Sequence, residues 1–283
     1  MLATPVPWHS AASMPERRSY FAAAQIGNGV FVAGGMVGAS GTYVFRLDRF
    51  DPARDSWSRE PDLPGQARAA AGAALRGMLY VIGGQTTAGT SRRVYAYDTR
   101  ARRWTVRAPL PVPRYNAAAA ELDGFVYVAG GVRAIDPTRS AYRYDPRANR
   151  WRAIAPLPRA LHTLALVPFR GELWAIGGFD RAGDSVRSVF VYSPRTHRWR
   201  SGPRLAAPVA MLGATAAAGR IYVVSENVFE TYSPGRGWRL GPALGVPRHA
   251  LGLFALDGRL WAIGGCVVPE LADSRVVESR PLQ

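Results

Sequence analysis

A pair of glycines returns at a nearly fixed interval and constrains the fold of this chain more than any other feature. The pairs are Gly34-Gly35, Gly83-Gly84, Gly130-Gly131, Gly177-Gly178 and Gly264-Gly265, and Ser225-Glu226 fills the matching place in one further unit. Each pair follows a short apolar run, such as Met78 to Ile82. A repeat of roughly 40 to 50 residues with several short strands per unit is typical of the blades of a β-propeller.

A second motif follows each glycine pair except the last. An aromatic residue precedes Asp or Ser, and a tryptophan comes six or seven residues after it, at Phe50 and Trp57, Tyr97 and Trp104, Tyr144 and Trp151, Tyr192 and Trp199, and Tyr232 and Trp238. The pattern resembles the Kelch repeat, in which an apolar strand, a Gly-Gly pair, a Tyr and a Trp follow one another. The resemblance covers essentially the whole chain. It implies an all-β, six-bladed Kelch-type β-propeller that forms a single domain over residues 1–283.

The two ends of the chain complement each other. The last unit offers Arg275 to Ser279 as its third strand and has no Trp after it, whereas the N-terminal region carries Trp8 followed by Met14-Pro15. In the other units, a Trp in the fourth strand is followed by a similar turn, as Trp104 is by Leu110-Pro111. We therefore expect an N-terminal strand around Trp8 to complete the last blade, which would also cover exposed strand edges.

The unit around Ser225 departs from the others. It lacks the glycine pair, and its connection between the second and third strands is almost absent, whereas Gln85 to Ser91 fills this place in the second unit. The connections between the second and third strands lie on one face of the propeller, and one sector of that face should therefore be lower than the rest. Two explanations for this departure are open. The repeat has degenerated in this unit, or the shorter connection leaves an opening in the face for a partner or substrate.

The formal net charge is +16, and all 36 basic residues are arginine. The codon bias of a GC-rich, bacterial-like genome explains this composition, and so does a positive field that attracts an anionic partner. Many of the arginines fall near the third and fourth strands of each unit, around the outer wall. Nucleic-acid binding is disfavoured, because this distribution does not concentrate charge in one groove.

Several features indicate the cellular setting. No apolar run approaches the roughly 20 residues that cross a bilayer, and the first residues lack the charged start and apolar core of a signal peptide. Cys266 is the only cysteine, so no internal disulfide forms. We expect a cytoplasmic monomer without a membrane partner. Zinc would need clustered Cys or His ligands, which the sequence lacks, so we expect no metal and no cofactor.

Candidate site residues follow from aligning the units on the glycine pair. Counting sixteen residues back from each first glycine, or from Ser225, gives Arg18, Ala67, Arg114, Leu161, Val209 and Arg248. The next position gives Ser19, Arg68, Tyr115, His162, Ala210 and His249. The first and second strands run antiparallel, so both sets fall at the same end as the glycine pairs. We expect them to surround one mouth of the central channel, where side chains from every blade gather around one point.

The resemblance implies a binding function for this mouth. Kelch adaptors that capture acidic peptides grip carboxylates with arginines at the first of these positions, which would correspond to Arg18, Arg114 and Arg248. Guanidinium groups bind carboxylate and phosphate through paired hydrogen bonds. The remaining candidates for binding an anionic small molecule or an acidic peptide are Tyr20, Arg68, Asn116 and Glu226. The alternative is that the arginines hydrogen-bond loop carbonyls.

The histidines at the second position raise a different hypothesis. His162 and His249, with Tyr115 nearby, are suited to acid–base chemistry on a small molecule whose anionic group is held by arginine. The resemblance to sialic-acid-mutarotase-like propellers implies an isomerase or mutarotase, and a lyase or cyclase would use the same groups. Packing and loop hydrogen bonding are the alternative roles for each histidine. The sequence leaves binding protein and enzyme both open.

Overall fold

The computed structural model describes residues 6–38, 41–268 and 272–282. The described residues form strands, turns and loops without a helix, which confirms the all-β prediction. Membrane crossing by a helix would require a long apolar one, and none is found in these three ranges. Six four-stranded antiparallel sheets make up most of the molecule.

We number these sheets as blades 1 to 6 in chain order and call their strands A to D from the channel outward. Blade 1 comprises Ala22–Ile26, Gly29–Ala33, Leu47–Asp51 and Ser56–Glu60. Blade 2 comprises Ala71–Leu75, Met78–Ile82, Val94–Asp98 and Arg103–Arg107. Blade 3 comprises Ala118–Leu122, Phe125–Ala129, Ala141–Asp145 and Arg150–Ile154.

The remaining blades have the same order. Blade 4 comprises Ala165–Phe169, Glu172–Ile176, Val189–Ser193 and Arg198–Ser201. Blade 5 comprises Gly213–Ala217, Arg220–Ser225, Val228–Ser233 and Gly237–Leu240. Blade 6 comprises Gly252–Leu256, Arg259–Ile263 and Val277–Pro281, with the N-terminal His9–Ser10 as its outermost strand.

Short paired segments follow strand B in four of the blades. They are Met36–Val37 with Thr42–Tyr43, Gln85–Thr86 with Gly89–Thr90, Val132–Arg133 with Asp136–Pro137, and Cys266–Val267 with both Arg248–His249 and Ala272–Asp273. In blade 5, only two residues separate strand B from strand C, so this connection is a tight turn.

The inner strands are rich in alanine and glycine because neighbouring blades nearly touch there. A Cβ atom placed on Gly72 would lie 2.5 Å from the backbone nitrogen and oxygen of Ala23 in blade 1. A Cβ atom on Gly213 would lie 2.9 Å from the Cβ of Leu253 in blade 6. Alanine is a mediocre strand former, so its abundance reflects the narrow inner edge of wedge-shaped blades.

Farther from the channel, aromatic side chains fill the wider gap between blades. In each of the first five blades, the strand C aromatic packs on the strand D tryptophan with ring centroids 5.0 to 5.4 Å apart. The tryptophan Nε1–H also donates to a carbonyl of the preceding blade, as Trp104 does to Pro61 at 2.8 Å. Each tryptophan therefore ties two blades together while burying apolar surface.

The N-terminal segment forms the outer edge of blade 6. His9 pairs with Ser279 and Ser10 with Glu278, and the Trp8 Nε1–H donates to the Pro242 carbonyl at 3.2 Å. Strand C of this blade is Val277–Pro281, so the prediction of Arg275 to Ser279 was wrong by two residues. Its start is displaced because the carbonyls of Ser274 and Arg275 accept hydrogen bonds from the backbone of Arg18 and Met14.

The glycine pairs join each blade to the next. All ten glycines have φ between 59° and 102°, a range that L-residues rarely adopt. The second glycine donates its N–H to the residue at the first aligned position of the next blade, at 2.8 to 3.2 Å. These bonds run from Gly35 to Ala67, Gly84 to Arg114, Gly131 to Leu161, Gly178 to Val209, Glu226 to Arg248, and Gly265 to Arg18. Glu226 keeps both the positive φ, 49°, and the hydrogen bond, so the contact survives without glycine.

Replacing Gly131 with Ala should lower the free energy of unfolding by about 2 to 4 kcal/mol. The new Cβ would lie 2.7 Å from the Tyr115 carbonyl oxygen, and φ at this position is 91°. Gly89→Ala is the matched control, because Gly89 has a φ of 108° with nothing within 4 Å of its Cβ position. It should cost about 1 to 2 kcal/mol from backbone strain alone. Equal losses for both variants in urea unfolding would contradict the close contact between Gly131 and Tyr115 within blade 3.

Candidate ligand site at the channel mouth

Three consecutive residues of each blade meet around one mouth of the channel. We call these the mouth segments: residues 18–20, 67–69, 114–116, 161–163, 209–211 and 248–250. The third residue of every segment has φ between 50° and 54°: Tyr20, Ala69, Asn116, Thr163, Met211 and Ala250. Such left-handed backbone is uncommon for residues other than glycine and is retained only where the surroundings enforce it.

Hydrogen bonds between neighbouring mouth segments enforce this backbone. The N–H of the third residue donates to the carbonyl of its equivalent in the preceding blade, at 2.7 to 3.0 Å. These bonds link Ala69 to Tyr20, Asn116 to Ala69, Thr163 to Asn116, Met211 to Thr163, and Ala250 to Met211. Because main-chain atoms alone hold the ring, its third position accepts side chains as different as Ala, Asn and Tyr. All six of these residues line a cavity of about 120 Å³.

The arginines at the first position point away from this cavity. Arg18, Arg114 and Arg248 are each 0% exposed. The Arg18 guanidinium forms an ion pair with Asp48 and donates to the Arg46 carbonyl at 2.9 Å. The Arg248 guanidinium pairs with Glu278 and donates to the carbonyls of Gly264 and Ala262 at 2.9 and 3.0 Å.

Arg114 fills the same place without a carboxylate. Its guanidinium donates to the Gly130 carbonyl at 2.8 Å and to the carbonyl and hydroxyl of Ser140 at 3.0 and 2.7 Å. The guanidinium carbon also lies 4.9 Å from the centre of the Tyr142 ring. Burial lowers the pKa of Arg114 to about 10. The three arginines are therefore enclosed within their own blades, where a ligand in the channel would not reach them, in contrast to the binding role expected for them.

Residues at the second position are more accessible on one side of the mouth. Arg68, Tyr115 and His162 are half-buried and lie on consecutive blades, 2 to 4. Within the described ranges, no carboxylate forms an ion pair with Arg68. The His162 ring lies 5.5 Å from the ring of Phe179, and its Nδ1 is buried without a hydrogen-bond partner. Burial lowers the pKa of His162, which favours the neutral ring near pH 7.

The opposite side of the mouth holds a histidine and a carboxylate from different blades. Nδ1 of His249 lies 3.2 Å from Oε1 of Glu226, whose side chain is 47% exposed. Cys266 pairs with His249 through the backbone, and burial raises the pKa of its thiol. The Ser19 hydroxyl donates to Asp273 in the same sector.

Tyr20 partly covers the cavity. Its hydroxyl donates to Sδ of Met211 at 3.1 Å, so the side chain spans from blade 1 to blade 5. Burial raises the pKa of Tyr20. Met211 and Thr163 line the mouth but were missed from the sequence, although both share the register of Tyr20 and Asn116. Applying the sixteen-residue alignment to the third position would have found them.

Four-stranded antiparallel sheets around a channel with a polar mouth define a β-propeller with a potential ligand site. The chain belongs to the Kelch-repeat family: the model for the KLHDC2/KLHL20/DRC7 Kelch-repeats domain matches residues 20–224, most of its length. The fold is also similar to that of the protein described as "Structure of YjhT". That similarity has a TM-score of 0.82 and 17% sequence identity, and covers 95% of this chain and 96% of the other. No curated protein matches the sequence.

Asp48→Asn should lower the free energy of unfolding by about 3 to 5 kcal/mol, because it leaves the fully buried Arg18 without a counterion. Asp62→Asn provides the control, since Asp62 pairs with Arg59 at 2.8 Å but both side chains are about half exposed. That change should cost less than about 1 kcal/mol. Chemical unfolding of the two variants checks the difference, and a small loss for Asp48→Asn would contradict the structural role of Arg18.

Proposed function

We propose that this protein binds an anionic ligand at the channel mouth, with Arg68 holding the carboxylate of the ligand. The observation that supports this is the position of Arg68. It lies at the mouth beside Tyr115 and His162 from the next two blades and has no ion-pair partner among the described residues. A guanidinium in this position offers a carboxylate two parallel charged hydrogen bonds.

The groups near Arg68 indicate which other functional groups the ligand carries. The Tyr115 hydroxyl and the Asn116 amide offer both donors and acceptors, and Thr163 adds a hydroxyl. With its pKa lowered, His162 presents a neutral ring, which suits a hydroxyl or amide group of the ligand. The best match is a carboxylate that carries hydroxyl or amide groups close to it.

Cavity size limits what enters the mouth. The cavity of about 120 Å³, which the third mouth-segment residues line and Arg68 does not, holds a small acid or one acidic side chain of a peptide and does not enclose a folded partner. The net charge of +16 adds a long-range attraction for either kind of anion. The single domain over residues 1–283, the monomeric state and the cytoplasmic location stay predictions.

Catalysis is a second candidate function, and the His249–Glu226 contact favours it. A histidine oriented by a carboxylate is a common arrangement for a general base. The pair lies at the same mouth as Arg68, on the side of blades 5 and 6, and the His249 side chain is 7% exposed. A ligand held by Arg68 would then present a carbon or hydroxyl to His249 for proton transfer, as in an isomerase, mutarotase, lyase or cyclase.

Arg68→Gln should weaken binding of a small hydroxy acid, such as glucuronate, by about tenfold or more, because a charged hydrogen-bond pair is lost. Arg152→Gln, on the exposed strand D of blade 3, should leave affinity within about twofold. Isothermal titration calorimetry with glucuronate and with a short Asp/Glu peptide separates the two kinds of anion. The proposal fails if neither probe binds the wild-type protein, or if both variants lose affinity equally.

The same probes test catalysis. If the protein is an enzyme, NMR spectra of the hydroxy acid should show anomer exchange, isomerisation or elimination faster than in buffer. His249→Gln should abolish that turnover while leaving binding within about threefold. Binding without turnover would instead identify a binding protein.

A further inference from the structure

Blade 6 differs from the other blades at one buried position of strand C. In blades 1 to 4, the strand C aromatic packed on tryptophan is at most 1% exposed, at Phe50, Tyr97, Tyr144 and Tyr192. In blade 6, the His9–Ser279 pairing places Arg280 opposite Trp8, at the same position. The strand B neighbours agree, since Arg280 pairs with Leu260 as Tyr97 pairs with Leu79. A cation thus replaces the aromatic ring.

Arg280 is buried, and none of the described carboxylates pairs with it. It is 2% exposed, and its guanidinium carbon lies 4.6 Å from the Phe229 ring centre and 5.7 Å from that of Trp8. In the described part of the chain it forms no ion pair, and its Nη1 has no hydrogen-bond partner. Burial lowers the pKa of Arg280. The two rings stabilise the cation only partly, because a buried charge needs hydrogen bonds and a counterion as well.

A cleft of about 210 Å³ opens beside Arg280, between the outer strands of blades 5 and 6. Its polar lining consists of Arg236, Arg239, Arg280, Thr231 and Ser233. Arg220 and Tyr222 also line the cleft, and each makes a further interaction. Thr231 and Ser233 lie on the same face of strand C because side chains alternate along a strand. Arg239 is the cross-strand neighbour of Thr231. Among the described residues, no carboxylate lines this cleft, so the part of the lining that the structure describes is positively charged.

We propose that this cleft between blades 5 and 6 binds an oxyanion, a phosphoryl or carboxyl group, carried by a small molecule. Several guanidinium groups and two hydroxyls converge on a space large enough for the anion and a compact apolar body. The body would contact Phe229, Leu240 and Leu260. Planar guanidinium groups match the geometry of both oxyanions.

This site is separate from the channel mouth. Ser233 ends strand C, and Arg220 begins strand B, whereas the mouth lies where strand B ends. The cleft therefore belongs to the opposite end of the propeller. The proposal does not depend on the function of the mouth, and Arg68→Gln distinguishes the two.

Arg280→Tyr tests the assignment, because it restores the residue that stands at this place in most other blades and should therefore fold. In calorimetry at constant ionic strength, inorganic phosphate should bind the wild-type protein at one site, and Arg280→Tyr should weaken it about tenfold or more. Arg239→Gln should also weaken binding and provides the test if Arg280→Tyr does not fold. Arg68→Gln should leave phosphate affinity within about twofold.

Phenyl phosphate and benzoate identify which oxyanion the cleft prefers, since they share an apolar ring and differ in the anionic group. Tighter binding of one over the other, lost in Arg280→Tyr, assigns the ligand to that class. Arg195→Gln, in the exposed turn between strands C and D of blade 4, is the control for diffuse positive charge. Equal loss in Arg195→Gln and Arg280→Tyr, unchanged affinity in Arg280→Tyr, or no saturable binding of any of the three anions would overturn the proposal.

Discussion

Every blade is joined to the next by a main-chain hydrogen bond at the glycine pair, near the channel mouth, and the rest of the structure depends on these bonds. The donor is the second residue of the Gly-Gly pair, or Glu226 in blade 5, and the acceptor is the first mouth-segment carbonyl of the following blade. The close approach excludes a Cβ at the neighbouring first glycine, since a Cβ on Gly83 would lie 2.5 Å from the Arg114 carbonyl oxygen of the next blade. The interval between glycine pairs is therefore the interval between blade contacts.

Main-chain bonding between blades leaves the mouth side chains free to vary. The third mouth positions carry Tyr, Ala, Asn, Thr, Met and Ala on nearly identical left-handed backbone. A ligand site can thus be assembled from several blades without disturbing the contacts that hold them together. This separation explains how one sector offers Arg68, Tyr115 and His162, while the opposite sector offers His249 and Glu226.

The sequence predicted the architecture well because the repeat encodes contacts between blades. Trp8 was assigned to the last blade by its match to Trp104, and both indoles donate to a carbonyl of the preceding blade. The orientation of the arginines was harder to predict. Arg114 and Arg68 occupy adjacent registers, and a shift of one residue exchanges the buried and exposed sides of a strand-like segment. A signal for burial was available in Asp48 and Glu278, each thirty residues after the arginine that it neutralises.

A GC-rich genome would account for the basic residues being arginine, but it would not account for where each one lies. A bias that adds arginine without functional constraint should add it mostly at exposed positions, where substitution changes stability little. Arg18 and Arg248 are buried with carboxylates, and Arg114 is buried with a carbonyl-rich set of acceptors. Arg280 has neither kind of partner among the described residues, yet it replaces an aromatic ring that would bury apolar surface at no electrostatic cost. The position of Arg280, rather than the total charge, is therefore what points to an anion at the junction of blades 5 and 6.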